Sequence, residues 1–257
     1  MHVPSHCFYV DDLMVFCKGK NSSLLDLKDL FTRYVACSVQ IINTNKLSIY
    51  SGGISNDRIN SIVNMLGFQI GYLPFNYLGA PIFKGRPKVI YFQPIADKIK
   101  GKLATWKASF LSMAGRIQLV KPVIQNMLQH TMSIYFWPIS LLKDIERWIR
   151  NFIWSGDTEK KKLITVSWKK VCSNFDEGGL SIKSLIWLNE ANNLKFDWDM
   201  IQLDESWAQL LRSRVIRRNS CISHHMFSSL WSNIKNEFLT IIDNSSWLFG
   251  NGQQINF

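Results

Sequence analysis

The sequence predicts an α+β fold, with strands and helices mixed up to residue 84 and helices dominating afterwards. Three observations lead there. Short apolar, partly β-branched runs near the N-terminus are bounded by polar turn residues, the pattern of small strands. Beyond residue 84 apolar side chains recur at helical spacing. A hydrophobic fraction of 47% with ten tryptophans gives the chain enough apolar surface to bury a core and excludes a disordered one.

Element by element, Phe8-Tyr9-Val10 and Leu13-Met14-Val15-Phe16 read as strands joined by an Asp11-Asp12 turn, although no glycine supplies a positive φ there. Asn21-Ser22-Ser23 offers N-cap oxygens to a helix over 22–37, with Leu24, Leu27, Leu30, Phe31 and Tyr34 on one face. Strands are expected at Val39–Ile42 and Leu47–Tyr50, flanking an Asn-Thr-Asn-Lys turn. A helix follows over Asn56–Leu66 with Gly67 as its stop, and a strand over Tyr77–Phe83. Ile95, Ile99, Leu103 and Trp106 mark the next helix. Met113 to Leu128 marks another, and Leu141, Ile145, Trp148, Ile149 and Phe152 a third. Short strands or turns are expected at Val166–Trp168 and Gly178–Ile182, then helices near 184–201 and 205–217.

The formal net charge is +11, which points to an anionic partner, nucleic acid foremost. The excess is local. Between Lys84 and Lys121 nine basic residues (Lys84, Arg86, Lys88, Lys98, Lys100, Lys102, Lys107, Arg116 and Lys121) face a single acid, Asp97. Lys98 and Lys102 share a helix face opposite Ile95, Ile99 and Leu103, an arrangement suited to following a phosphate backbone. A solubilising helix face is the plainer alternative. The five cysteines have no tight spacing and read as reduced thiols of a nuclear or cytoplasmic protein. Two long windows without charge, Val63–Phe83 and Pro122–Leu142, are interrupted by Asn, Gln and Pro, so no membrane partner is expected.

Asp11 and Asp12 carry the strongest chemical signal. At a hairpin tip neighbouring carboxylates can approach one region, and hard cations such as Mg²⁺ take one or two carboxylates together with substrate phosphates. On spacing alone the pair could equally cap a turn.

The wider string Phe8-Tyr-Val-Asp-Asp-Leu-Met-Val-Phe16 resembles the Tyr/Phe-x-Asp-Asp motif of reverse transcriptases. Further similarities follow in order. Ser38–Lys46 is similar to the segment that holds the family's lysine near the triphosphate. Tyr77-Leu78-Gly79-Ala-Pro-Ile82 is similar to the hairpin that supports the primer terminus. Trp106-Lys107, Leu111-Ser112 and Gly115-Arg116 resemble the thumb of LINE-type (non-LTR) plant retrotransposon polymerases. Trp154-Ser-Gly156, Trp168-Lys169 and Gly178-Gly-Leu180 fit the region beyond it.

The resemblance implies a partial polymerase palm with a metal-binding hairpin at 1–84, a helical basic thumb at 85–157 and a C-terminal helical region at 158–257. Asp11 and Asp12 would hold Mg²⁺, or Mn²⁺, in the parent enzyme, with Lys46 beside the leaving pyrophosphate. RNA template and DNA primer would lie on Lys84, Arg86, Lys88, Lys98, Lys102, Lys107 and Arg116, with Tyr77, Leu78 and Gly79 at the primer end. The family has another catalytic Asp far upstream, whereas this sequence begins ten residues before Asp11. The expectation is therefore a polymerase fragment that binds metal weakly and is inactive alone. A non-catalytic nucleic-acid-binding protein and a relic without function are the alternatives.

Other candidates carry less. Cys221, His224 and His225 have a ligand-like spacing but no second pair nearby. Asp197 and Asp199, two apart on a helix, read as surface charge. Gly178-Gly179 reads as a turn, and Trp106 and Trp148 as core.

Overall fold

In the computed structural model the chain forms two compact units, Met1–Phe75 and Asn76–Phe257. The structure describes residues 4–38, 40–106, 110–217, 220–222, 226 and 228–246. Strands and helices are both present, the strands in small two-stranded sheets.

The first unit opens with an antiparallel hairpin of β1 (His6–Tyr9) and β2 (Asp12–Val15). Helix α1 (Asn21–Ser38) follows, one residue longer at each end than expected. Helix α2 (Asn56–Leu66) has the boundaries read from the sequence. The Ser55 hydroxyl accepts from the Arg58 amide at its start, and Gly67 ends it at φ 73°, where a side chain would be strained. The two helices are tied by Lys28, whose ammonium donates to the Met65 carbonyl at 2.9 Å. Leu24 and Ile62 are buried, and Phe31 meets Phe68 edge to face with centroids 5.8 Å apart.

Of the two strands expected on either side of Asn43–Lys46, the second forms in part, as Ser48–Ile49; residues 40–42 are not a strand, and Val39 lies outside the described residues. Asn43 accepts the Asn45 amide through its side chain at 3.0 Å and closes a 3₁₀ turn, Thr44–Lys46. A short polar side chain that satisfies a nearby backbone donor competes with a strand ladder in this way. β3 (Ser48–Ile49) instead pairs parallel with β4 (Gln69–Ile70), with α2 as the crossover.

The expected strand over Tyr77–Phe83 is a tight hairpin, β5 (Phe75–Tyr77) and β6 (Ala80–Ile82). Its turn residues Leu78 and Gly79 both have positive φ, 49° and 80°, as a type I′ turn requires. Four helical stretches then build the core of the second unit. They are α3 (Val89–Thr105), the run from Met113 to Met132, α6 (Ile139–Ser155) and α8 (Leu185–Gln202). The Met113–Met132 run comprises α4 (Met113–Leu119), a π segment Val120–Ile124 and α5 (Gln125–Met132). Pro122 lies in the π segment, where its missing N–H removes a rung of the helical ladder. Helix α6 buries Leu141, Leu142, Ile145, Trp148, Ile149, Phe152 and Ile153, a stripe more than three turns long in one core with Phe92, Ile99, Leu103, Ile124 and Leu128.

Of the short strand or turn expected at Val166–Trp168, a bend forms at Val166, and a single helical turn, α7 (Trp168–Val171), starts at Trp168 because the Ser167 hydroxyl accepts the Lys170 amide. The following loop folds back so that Leu180 donates to the Val171 carbonyl and Ser181 to the Ser173 carbonyl, both at 2.9 Å. A Cβ on Gly179 would fall 2.0 Å from the Ser173 carbonyl oxygen, so this crossing admits only glycine. After α8 come α9 (Ser206–Val215), a short hairpin of β7 (Ile216–Arg217) and β8 (Ser220–Cys221), and α10 (Trp231–Asn244). They close a second core of Met200, Val215, Ile222, Trp231 and Ile234. Among the described residues no helix is long and apolar enough to cross a membrane.

One buried acid fastens this assembly. Ser184 makes no side-chain cap for α8; Glu146 of α6 takes that place, accepting the Ser184 hydroxyl at 2.9 Å and the Leu185 amide at 2.7 Å. A carboxylate at a helix N-terminus satisfies an orphan donor and the helix dipole together. Glu146→Ala is expected to lower the unfolding free energy by about 1–3 kcal/mol in urea melts, and Glu146→Gln by less because an acceptor remains. Equal loss in both variants would show that the carboxylate does not cap α8.

Candidate functional site

The β1–β2 hairpin pairs His6 with Val15, Cys7 with Met14, Phe8 with Leu13 and Tyr9 with Asp12. Its two-residue turn is therefore Val10-Asp11, one position earlier than the sequence suggested: Val10 leaves the strand, and Asp12 opens the return strand. Val10 takes φ 51°, an unfavourable region for a β-branched residue. The register explains it. Moving the turn to Asp11-Asp12 would break the Phe8–Leu13 and Cys7–Met14 pairs. Asp11 thus stands at the tip and Asp12 beside it at the last strand pair, both exposed.

Neither carboxylate accepts a hydrogen bond or ion pair from any described residue, so both keep their oxygens for an external cation. The donor set suits one side of a Mg²⁺ or Mn²⁺ site, since such ions take one or two carboxylates and complete their shell with water and phosphate. It does not make a two-metal site by itself: among the described residues no cluster of three or more His, Cys, Asp or Glu side chains is placed to hold a metal. The hairpin's apolar side chains are open too, Phe8 at 71% and Val10 at 70% exposure. Two strands with both faces wet have little to stabilise them alone.

Lys46 is exposed at the end of the Asn43-capped turn, in the same unit as the hairpin. Tyr77, Leu78 and Gly79 lie at the β5–β6 turn of the second unit, where the His130 ring nitrogen Nε2 meets the Leu78 carbonyl at 3.0 Å. That contact, not visible in the sequence, fixes the turn to α5.

Of the basic residues, Lys84, Arg86, Lys88, Lys98 and Lys102 are all exposed. Lys98 and Lys102 lie one turn apart on α3, while Phe92, Ala96, Ile99 and Leu103 are buried on the same helix. Lys107 lies outside the described residues, as do His224 and His225 of the Cys221 cluster. Arg116 is half-buried, and its Nη1 donates to the Ile153 carbonyl at 3.0 Å, one of the open carbonyls at the end of α6. Lys100 forms an ion pair with Glu159 and lies over the Trp148 ring, 5.2 Å from its centroid. A surface-cation reading from sequence does not distinguish these two from their neighbours.

One assignment reverses. Asp197 is 1% exposed rather than a surface charge, because α10, a helix beyond those expected from the sequence, packs over α8. Asp199 is paired with Lys195 at 2.9 Å.

No family model matches the chain. It is similar to an Arabidopsis thaliana protein that carries the name of a ribonuclease H protein, 32% identical over 184 residues. The match takes in 69% of this chain and 30% of that relative. It is also similar to an uncharacterized mitochondrial protein of Arabidopsis thaliana, 32% identical over 93 residues, 35% of this chain and 60% of the relative. The chain thus spans only part of the length of each relative.

Proposed function

We propose that this chain is part of a plant LINE-type retroelement polypeptide and contributes the Asp-Asp hairpin and thumb of its RNA-directed DNA polymerase. The observation that carries this reading is the β1–β2 hairpin itself, which sets Asp11 at its turn and Asp12 beside it with their oxygens uncommitted. The similarity to two plant proteins, one of them named for ribonuclease H, supports a retroelement origin. The partners are RNA template and DNA primer, in the nucleus or cytoplasm.

Asp11 and Asp12 would be the metal ligands, and a divalent ion held there supplies charge neutralisation to the transferring phosphoryl group. Lys46 offers a cation for the departing pyrophosphate. Lys84, Arg86, Lys88, Lys98 and Lys102 offer sequence-independent phosphate contacts, which position a duplex without reading it. Because no third metal ligand joins Asp11 and Asp12 among the described residues, the chain is proposed to be inactive by itself.

The nucleic-acid part is tested by titrating an RNA–DNA primer-template at several salt concentrations. Binding should weaken steeply with salt, with a log–log slope of about −0.9 per phosphate neutralised. The double variant Lys98→Glu, Lys102→Glu should flatten the slope by about 2. An unchanged slope removes α3 from the contact and the thumb from the proposal.

A further inference from the structure

Two clefts open beside the α7 loop. The larger, about 970 Å³, is lined by Ser167, Lys169, Lys170, Lys183 and Trp187 among others. The smaller, about 210 Å³, is lined by Lys143, Glu146, Arg147, Arg150 and Trp168. They adjoin: Trp168 of one is flanked in sequence by Ser167 and Lys169 of the other, and Ser184 of the larger donates to Glu146 of the smaller at 2.9 Å.

Six cations therefore line this pair of neighbouring clefts, a basic strip that holds two acids, Glu146 and Glu177. Glu146 is already spent on the start of α8, and Arg147 is held by Asp144 at 3.0 Å. Among the described residues no carboxylate pairs with Lys143, Arg150, Lys169 or Lys183. Lys121 lies 4.3 Å from the centroid of Phe175, in the loop whose Asn174 and Glu177 line the larger cleft. Burial and the Glu146 charge push the Cys172 thiol up to about 12, so it stays a neutral wall group.

The aromatic component decides what the strip would bind. Trp187, in the first turn of α8, is 54% exposed inside a lysine-lined cleft. An indole left open in a cationic groove is the combination that tracks an unpaired strand, with phosphates on the cations and a base on the ring. A duplex keeps its bases stacked inside and offers nothing to that ring. The groove is also pre-shaped, since the crossing at Gly179 and the Ser181-to-Ser173 hydrogen bond lock the loop that walls it.

We propose that the α6–α7–α8 cleft is a binding site for single-stranded nucleic acid, with a base stacked on Trp187 and phosphates on Lys169 and Lys183. This stands on observations separate from the Asp hairpin and from α3, and holds or fails independently of the polymerase reading.

The test is fluorescence anisotropy of a labelled oligothymidylate and of the matching duplex with the whole chain. Trp187→Ala should weaken oligothymidylate binding about tenfold and leave duplex binding unchanged. Trp187→Phe, which keeps a ring, should retain most of the affinity. Lys169→Glu with Lys183→Glu should flatten the salt slope for the single strand by about 1.4. Lys98→Glu with Lys102→Glu should leave the response of the single strand to Trp187→Ala intact, even if it abolishes duplex binding. Circular dichroism melts of each variant establish that it is folded. Oligothymidylate affinity that ignores Trp187 overturns the proposal. So does displacement by polyglutamate that is equally insensitive to Trp187, an outcome that would make the strip a docking surface for acidic protein.

Discussion

Supplied with Mg²⁺ or Mn²⁺ and a primed RNA template, the chain alone is expected to extend no primer above the level of an Asp11→Ala, Asp12→Ala control. Phosphoryl transfer leaves the protein little covalent chemistry; it must hold the reacting oxygens in line and neutralise charge between them. Two ions about 3.5–4 Å apart need ligands from more than one direction. Asp11 and Asp12 come from one turn and the strand that leaves it, and no described cluster of carboxylates joins them. The hairpin that carries them exposes Phe8, Val10 and Leu13, so it is also poorly braced for a task sensitive to small displacements. Joined to a fingers-and-palm segment that brings a third carboxylate, the same chain should support synthesis. Asp11→Ala in that fusion should then cost on the order of 10³-fold or more, the several kcal/mol that metal-borne charge stabilisation contributes. Synthesis by the unfused chain that vanishes in the double-Ala control would mean that another carboxylate completes the site. Synthesis by the fusion that survives Asp11→Ala would remove the hairpin from catalysis.

Where sequence reasoning succeeded, one local signal was sufficient. Helix α2 carries its own N-cap serine and its own terminating glycine, so both ends can be read without knowing what it packs against. The apolar stripe of α6 works likewise, since seven of its residues share one face. Failures cluster where a distant partner decides. Ser48–Ile49 has the look of half a hairpin, yet its pairing partner lies beyond a whole helix. The polar pair between two apolar runs puts the hairpin turn at Asp11-Asp12, one residue late, because Val10 reads as the end of the first run; cross-strand pairing of Phe8 with Leu13 sets the turn at Val10-Asp11 despite the positive φ this imposes on a valine. The basic strip of Lys169, Lys183 and Trp187 has no sequence period at all. Its members meet only because the Gly179 crossing folds the α7 loop back on itself.

Asp197 shows the same limitation with a thermodynamic consequence. Removing its charge is expected to raise stability sharply at mildly alkaline pH. The residue is buried on α8, and neither oxygen has a hydrogen-bond partner among the described residues. Burial, and after it the charge of Glu237 on α10, push its carboxyl up to about 7. Glu237 is itself raised by burial and by Glu190 of α8, so the acids facing each other across α8 and α10 share the same penalty. Cys221 of β8 and Lys235 of α10 are the other titratable groups in this neighbourhood, and the Cys221 thiol is raised by burial with Asp197 adding to the effect. In the unfolded chain Asp197 titrates near pH 4. Between there and pH 7 the folded state holds the proton and the unfolded state has lost it, so stability falls as pH rises. Below that window both states are protonated and above it both are charged, so the group adds no slope in either region. The full effect is on the order of a few kcal/mol, a large part of the stability of an ordinary domain. Asp197→Asn keeps the shape and removes the charge. It should raise Tm by about 5–10 °C at pH 8. Near pH 4, where the folded group is neutral and the unfolded one only half ionised, it should change little. Thermal melts of both proteins from pH 4 to pH 9 decide the matter: parallel curves would mean that Asp197 finds a partner or water in solution and is not an orphaned acid.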